Sequence, residues 1–504
     1  MATFTLPRLV IAGLAGGTGK TLITAGLVRA FRRRGLAIAP FKKGPDYIDP
    51  AWLGAAAGRP ASNLDSFLMS DDAIVRALAD QALASLAIVE GNRGLFDGLD
   101  RAGTHSTAEL AKRIQAPLVL VVDVSKSTRT VAALVLGCLA LDPTLPLAGV
   151  ILNRVGSTRQ ERLLRAVLAE TTQVPVLGAV PRLALDHLPS RHLGLVMPDE
   201  RNDYQSALEQ MADAVERGVD LEAIRRLAQT APPLRSRPAR DDGRRRPGRG
   251  VGPTALRPRI GVLRDQAFSF YYPENLAALE REGAELVPIS ALRDGELPPI
   301  DALYAGGGYP EEHAAQLSAN TTLRAALATR IEQGMPVWAE CGGLMYLART
   351  LVCHGERFAM VGALPVAIEQ TGRPQGHGYA EAVVDGENPF LPRGTRLRGH
   401  EFHYSRVTDG RAALRTVLAL TTGTGVGEGR DGVVAGRVFA SYLHLFAPGA
   451  PAWAPAFVRV AREARAAMTE TPTRQGESRG ITNRQRRTDR NRRGRLHPGA
   501  CQVE

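Results

Sequence analysis

Short apolar runs alternate with amphipathic stretches through roughly the first 225 residues. "RLVIAGLA" (8–15), "LAIAPFKK" (36–43), "LAIVEG" (86–91), "PLVLVVDV" (117–124) and "LAGVILNRV" (147–155) are nearly continuous in their hydrophobicity. A strand apolar on both faces belongs inside a sheet covered on both sides, the usual condition of a parallel sheet. Segments between them, such as "TLITAGLVRAFRRRG" (21–35), carry apolar residues at helical spacing and stop at a glycine. The rhythm is strand–helix–strand and predicts an α/β fold. A second rhythm of the same kind starts at "RIGVLRD" (259–265), continues through "DALYAGGG" (301–308) and "PVWAEC" (336–341), and ends at "VFASYLHLF" (438–446).

Between the two lies 230–258, "TAPPLRSRPARDDGRRRPGRGVGPTALRP", whose Pro, Gly and Arg content reads as a flexible linker. From about Thr469 the chain loses apolar periodicity and is expected to be disordered. The expected division is residues 1–229 and 259–465 as two domains, 230–258 as linker and 466–504 as a basic tail. A chain of 504 residues is long enough for this.

The net charge of +12 would ordinarily suggest a polyanionic partner, but its distribution removes that reason. Residues 232–259 hold nine arginines against two aspartates, and residues 469–504 hold nine arginines against four acids. These two segments account for the whole excess. The folded parts sum to zero, so neither nucleic acid nor a membrane is the expected partner. The four cysteines, 138, 341, 353 and 501, have no metal-site or disulfide spacing, which suits a reducing cytosol. The opening "MATFTLPRLVIAGLAGGTGKT" does not have the form of a secretory leader, and no charge-free apolar stretch reaches bilayer length. The expected location is cytoplasmic.

"GLAGGTGKT" (13–21) lies between the first strand and the first helix, where a phosphate-binding loop belongs. Gly16, Gly17, Thr18 and Gly19 let backbone amides turn toward phosphate, Lys20 reaches the outer phosphates, and Thr21 is placed for Mg²⁺. The first glycine comes one residue earlier than in the usual G-x-x-x-x-G-K-T spacing. ATP–Mg²⁺ binding is the expectation. Acidic residues follow at strand ends, where an open parallel sheet binds its ligands. "FKKGPDYIDP" (41–50) offers Lys42, Asp46 and Asp49, and "VEGNRGLFDG" (89–98) offers Glu90 and Asp97. Glu90 is placed to bind the metal, with Asp46 as a further candidate, although a helix cap or a solvated turn would use the same residues. Asn153, ending "GVILN", is a candidate reader of an adenine edge or a turn residue.

"PVWAECGGLMYL" (336–347) runs from an apolar strand through Cys341 and two glycines into a helical pattern. That is the layout of a nucleophile elbow, in which the following helix N-terminus is expected to lower the thiol pKa. A core cysteine would look similar, but the glycine turn and an available histidine favour a nucleophile. "YAGGGYPEE" (304–312) supplies turn glycines for an oxyanion hole. His444, in "ASYLHLF", is the first candidate for the base; His400 and His403, in "RGHEFHYS" (398–405), are competitors. Cys138 and Cys353 read as packing residues.

Together with "YYPENLAALE", these motifs resemble the cobyrinic acid a,c-diamide synthase family over about residues 8–460. The resemblance implies a dethiobiotin-synthetase-like ATP domain followed by a class I glutamine amidotransferase domain. It also implies that Cys341 and His444 release ammonia from L-glutamine, with the amides of Gly307 and Gly308 as oxyanion hole. ATP would activate a carboxylate of cobyrinic or hydrogenobyrinic acid as an acyl phosphate, with Lys42, Tyr47, Asp49 and Asp97 facing that acceptor. A homodimer is a candidate assembly. Two positions depart from the amidotransferase pattern. Ala339 stands where Gly-x-Cys-x-Gly has its first glycine, and Phe446 stands where His-x-Glu has its acid. Glu340 is the remaining candidate to orient His444.

A sister enzyme acting on nickel-sirohydrochlorin, or cobyric acid synthase, would share Lys20, Cys341 and His444. A nucleotide-switched partition-type protein would share only the loop, and would need a dead cysteine site.

Overall fold

The computed structural model describes residues 2–183, 190–191, 194–236 and 257–469. In the N-terminal domain seven strands form one sheet. They are β1 (Arg8–Gly13), β2 (Ile38–Lys43), β3 (Ser62–Leu64), β4 (Leu86–Glu90), β5 (Leu118–Asp123), β6 (Leu147–Val155) and β7 (Val176–Pro181). The order is β3-β2-β4-β1-β5-β6-β7, and every pairing is parallel. Alternate residues feed opposite cores. Val10, Leu118, Leu120 and Val122 enter one, while Leu9, Ile11, Val119 and Val121 enter the other with α1 (Lys20–Arg33), α2 (Ile48–Ala57) and α3 (Tyr204–Gly218). Two buried faces explain why these strands read as unbroken apolar runs.

Order continues past the boundary expected at residue 229. Leu234–Ser236 pairs antiparallel with Ala2–Phe4. Arg8, fully buried, holds this return with donations to the carbonyls of Ile114, Leu6, Gln115 and Pro232. Residues 237–256 and 470–504, which contain most of the expected linker and tail with Cys501, lie outside the described residues.

The C-terminal domain is built on a ten-stranded sheet. Its parallel half holds β8 (Arg259–Leu263), β9 (Glu285–Ile289), β10 (Ala302–Ala305), β11 (Val337–Glu340) and β16 (Val438–Ser441). The antiparallel half holds β12 (Gly376–Val384), β13 (Arg396–His403), β14 (Thr416–Thr422), β15 (Arg430–Ala435) and β17 (His444–Leu445). The sequence pattern reads 438–446 as one strand. The structure breaks it after Ser441 and moves His444–Leu445 to the far edge of the sheet, beside β13. Asp431 holds the break: its carboxylate accepts from Ser441 Oγ and from the amides of Tyr442 and Leu443.

The two domains pack together. Tyr272 donates to Pro45 O at 3.0 Å, and Tyr379 donates to Asp65 Oδ2 at 2.7 Å. Phe446 joins a core cluster of the N-terminal domain, against Tyr272.

Candidate active sites

Cys341 sits between β11 and a short helix, α4 (Gly342–Leu347), at φ 47°. A non-glycine residue holds this backbone only where its surroundings enforce it, and such strain gathers at functional turns. Here the Cys341 amide donates to Ser441 O at 2.7 Å. The glycines after it serve close packing. A Cβ at 343 would come within 2.1 Å of Ala305 O, and one at 342 within 3.1 Å of Gly308 N and 3.4 Å of Gly307 C. Gly307 also lies under the histidine, since a Cβ there would sit 2.6 Å from His444 Cε1. The thiol turn, both oxyanion candidates and the imidazole therefore meet at Gly307. Among the described residues no hydrogen bond joins the thiol to the imidazole.

The expected effect of the helix on the thiol is corrected. Burial, followed by the charge of Glu311, pushes Cys341 well above the ordinary thiol value. A six-residue helix does not offset that desolvation. A base is therefore needed to form the thiolate.

His444 is 2% exposed, and its Nδ1 is 3.6 Å from Glu340 Oε2. Glu340 is itself 1% exposed and is held from two sides. Trp338 Nε1 donates to Oε1 at 3.0 Å, and the Tyr304 hydroxyl donates to Oε2 at 3.4 Å. Glu340, the residue before the nucleophile, thus brings a buried carboxylate near the imidazole, although Nδ1 makes no hydrogen bond among the described residues. His400 stacks on His444 at 4.8 Å, and burial holds it neutral. His403 stacks instead on Tyr442, and its Nδ1 meets Ser405 O at 2.8 Å. Cys138 and Cys353 are buried in packing positions.

At the other centre, Gly19 (φ 85°) begins α1, and Lys20 Nζ donates to Ala15 O at 2.8 Å across its own loop. Asn153 has its side-chain amide turned to the loop. Its amide donates to Thr18 O at 2.9 Å, it is fully buried, and a Cβ at 19 would strike it at 2.1 Å. Asn153 is thus a brace under the loop, and only a glycine at 19 leaves it room.

Thr21 Oγ1 donates to Glu90 Oε1 at 2.7 Å, while Glu90 Oε2 is buried with no partner. An orphaned carboxylate oxygen beside a threonine hydroxyl at a phosphate loop is a set of donors that fits Mg²⁺. Asp46 spends Oδ1 on the amides of Ile48 and Asp49 at the start of α2, so it caps a helix rather than joining that pair. Burial, followed by the charge of Asp49, raises Asp46 to about 7.

Lys42 is not available to an acceptor: its ammonium is buried among Asp49, Glu90 and the carbonyl of Gly91. Asp49 is committed to the same contact. Tyr47 and Asp97 are placed differently. They line a cavity of about 570 Å³ between the domains, together with Asp46, Arg93, Lys43, His377, His400 and His444. Tyr47 spans the two sites. Its ring stacks on Phe270 at 5.0 Å and lies 5.5 Å from His444. Asp97 also accepts from Gly94 N at 2.9 Å, which shapes its loop.

Sequence reasoning overlooked Lys43, Arg93 and His377. The signal for Lys43 was present, because neighbours in a strand face opposite ways and a committed Lys42 leaves Lys43 on the other side.

Comparison with known proteins gives the same two-part division. Residues 9–196 match the CobQ/CobB/MinD/ParA nucleotide binding domain, and residues 259–451 match the CobB/CobQ-like glutamine amidotransferase domain. A protein of Magnetococcus marinus is 43% identical over 461 residues, 91% of this chain and 98% of its own. One of Syntrophotalea carbinolica is 45% identical over 470 residues, covering 90% and 99%. One of Methanothermobacter thermautotrophicus is 40% identical over 462 residues, covering 90% and 100%. All three are named cobyrinate a,c-diamide synthase.

Proposed function

The chain belongs to the cobyrinate a,c-diamide synthase family, and on that premise we propose that it places two amides on one macrocycle, at the a and c carboxylates of cobyrinic acid. Glutamine supplies the nitrogen and ATP the driving force. The single observation that carries the reading is the shared cavity: His444 of one centre and Asp46 and Asp97 of the other line the same space.

At the C-terminal site His444 takes the Cys341 proton, and the sulfur attacks the glutamine side-chain amide. Amides at Gly307 and Gly308 face the oxyanion of the tetrahedral intermediate. His444 returns the proton to the leaving nitrogen, which departs as ammonia and leaves a glutamyl thioester that water hydrolyses. Glu340 acts on His444 alone. Its charge, 3.6 Å from Nδ1, stabilises the imidazolium.

At the N-terminal site the loop around Gly16, Gly17 and Gly19 holds the triphosphate with Lys20. Mg²⁺, held by Thr21 and Glu90, would neutralise phosphate charge there. The acceptor carboxylate attacks the γ-phosphorus and ADP leaves. Ammonia then displaces phosphate from the acyl phosphate, giving the amide. Tyr47, Phe270 and His400 line the short way between the sites, where a weakly hydrated wall keeps ammonia unprotonated and able to attack. No helix among the described residues is long and apolar enough to cross a membrane, in keeping with a cytoplasmic enzyme.

An isotope experiment tests the activation step. With cobyrinic acid labelled with ¹⁸O in its carboxylates, one labelled oxygen per amide should appear in released phosphate. Phosphate that carries no label would exclude the acyl phosphate.

A further inference from the structure

The acids that line the interdomain cavity each accept backbone amides, whereas among the described residues neither of its cations, Lys43 and Arg93, is paired with an acid. Asp46 accepts from Ile48 N and Asp49 N, and Asp97 accepts from Gly94 N. Glu401 accepts from Thr424 N and Gly425 N. Lys43, by contrast, is 4% exposed and lines the cavity, yet among the described residues its ammonium makes no ion pair and no hydrogen bond. The acid nearest in influence, Asp65, is occupied by the amides of Phe67 and Leu68 and by the Tyr379 hydroxyl.

Arg93 stands beside it on the same cavity wall. Its backbone is held at φ 52°. Its guanidinium reaches across the domain boundary and donates to His377 Nε2 at 3.3 Å. Burial, then Arg93 itself, lowers His377, so the ring is the neutral acceptor this bond requires.

A largely buried lysine that opens only onto a cavity and has no counter-ion is costly to keep charged, and natural proteins seldom retain one unless a ligand supplies the charge. A guanidinium nearby, with most of its donors unspent, completes a fork suited to a carboxylate. We propose that Lys43 and Arg93 form a carboxylate-binding edge of the interdomain cavity, which holds a non-reacting carboxylate of the acceptor and so sets which of its other carboxylates faces the phosphate loop. The proposal rests on the reading of the acceptor as a polycarboxylate macrocycle. It separates the two neighbouring lysines, Lys42 serving the Glu90–Asp49 network and Lys43 the acceptor.

The test uses Lys43→Met, which keeps the stem, and Arg93→Gln at an exposed position. Each should raise the acceptor KM at least tenfold, while KM for ATP and for glutamine stays within twofold. Equilibrium binding of cobyrinic acid, followed by ultrafiltration without ATP, should weaken by the same factor. K43M should also melt no lower than wild type, because it removes an unpaired charge from a largely buried side chain; a purely structural lysine would lower the melting point. Wild type that amidates cobyrinic acid while both variants bind it equally well overturns this proposal alone. Wild type that leaves cobyrinic acid untouched overturns the acceptor reading and this proposal with it. A loss that falls on ATP instead would place Lys43 in the nucleotide site and also overturn it.

Discussion

Glu340→Gln isolates the positioning of His444. The substitution preserves shape and removes one charge 3.6 Å from Nδ1. Two unit charges at that distance interact by about 4 to 5 kcal/mol at an effective dielectric of about 20. Most of this is felt only when the imidazole is charged, which happens as the thiol proton transfers. The geometry adds a second loss. The Gln oxygen must accept from Trp338 Nε1, as Glu340 Oε1 does, which turns the NH₂ toward His444. An amide N–H donated to Nδ1 puts the ring proton on Nε2, so the nitrogen nearer Gly307 can no longer accept from the thiol. We expect about 3 to 4 kcal/mol, or roughly 10²- to 10³-fold, off kcat for glutamine. KM for glutamine should change little, and amidation with ammonium should continue at the wild-type rate. The assay is steady-state product formation with each nitrogen source, alongside a melting curve. A kcat within threefold of wild type would refute the role given to Glu340. A loss shared equally by ammonium would show that the residue supports the fold rather than the histidine.

Other perturbations follow from single contacts. Gly307→Ala places a methyl 2.6 Å from His444 Cε1, so glutamine-dependent turnover should fall at least 10²-fold with ammonium-dependent turnover retained; equal loss of both would contradict this. Arg8→Met removes donors from four carbonyls and releases the Leu234–Ser236 return; a loss of about 2 to 4 kcal/mol is expected, read by urea unfolding, and an unchanged midpoint would be inconsistent with it. Asp46→Asn keeps a capping side chain but cannot ionise. Because Asp46 is raised from 3.8 to about 7, its protonated form stabilises the fold, and that contribution fades as pH rises through the interval. The melting point of the variant relative to wild type should therefore climb between pH 5 and pH 8, and a flat difference would count against the shift.

The N-terminal sheet and most of the parallel half of the C-terminal sheet were legible because parallel strands with two buried faces leave unbroken apolar runs; the antiparallel strands from β12 to β15 leave no such run and were not read from the sequence. The elbow at Cys341 was legible for a similar local reason, since strand, cysteine and paired glycines are adjacent in the chain. What escaped depended on distant parts. The 438–446 run is mostly apolar, and its break after Ser441 is held by the buried Asp431, outside the run. That Asn153 also braces the loop 135 residues earlier is invisible in its own segment. Lys42 and Lys43 look equivalent in sequence, and their different fates depend on which side of β2 holds Glu90. The thiol's raised pKa reflects burial, which no helix pattern reports.

The division of labour itself is tested most directly by the mass of the product. Wild type and Cys341→Ala would each be incubated with cobyrinic acid and ATP–Mg²⁺, with either glutamine or ammonium as nitrogen source. Wild type should add two amides with either source, and the variant two amides with ammonium and none with glutamine. A variant that still uses glutamine, or a wild type that leaves cobyrinic acid at its starting mass, would contradict the central claim.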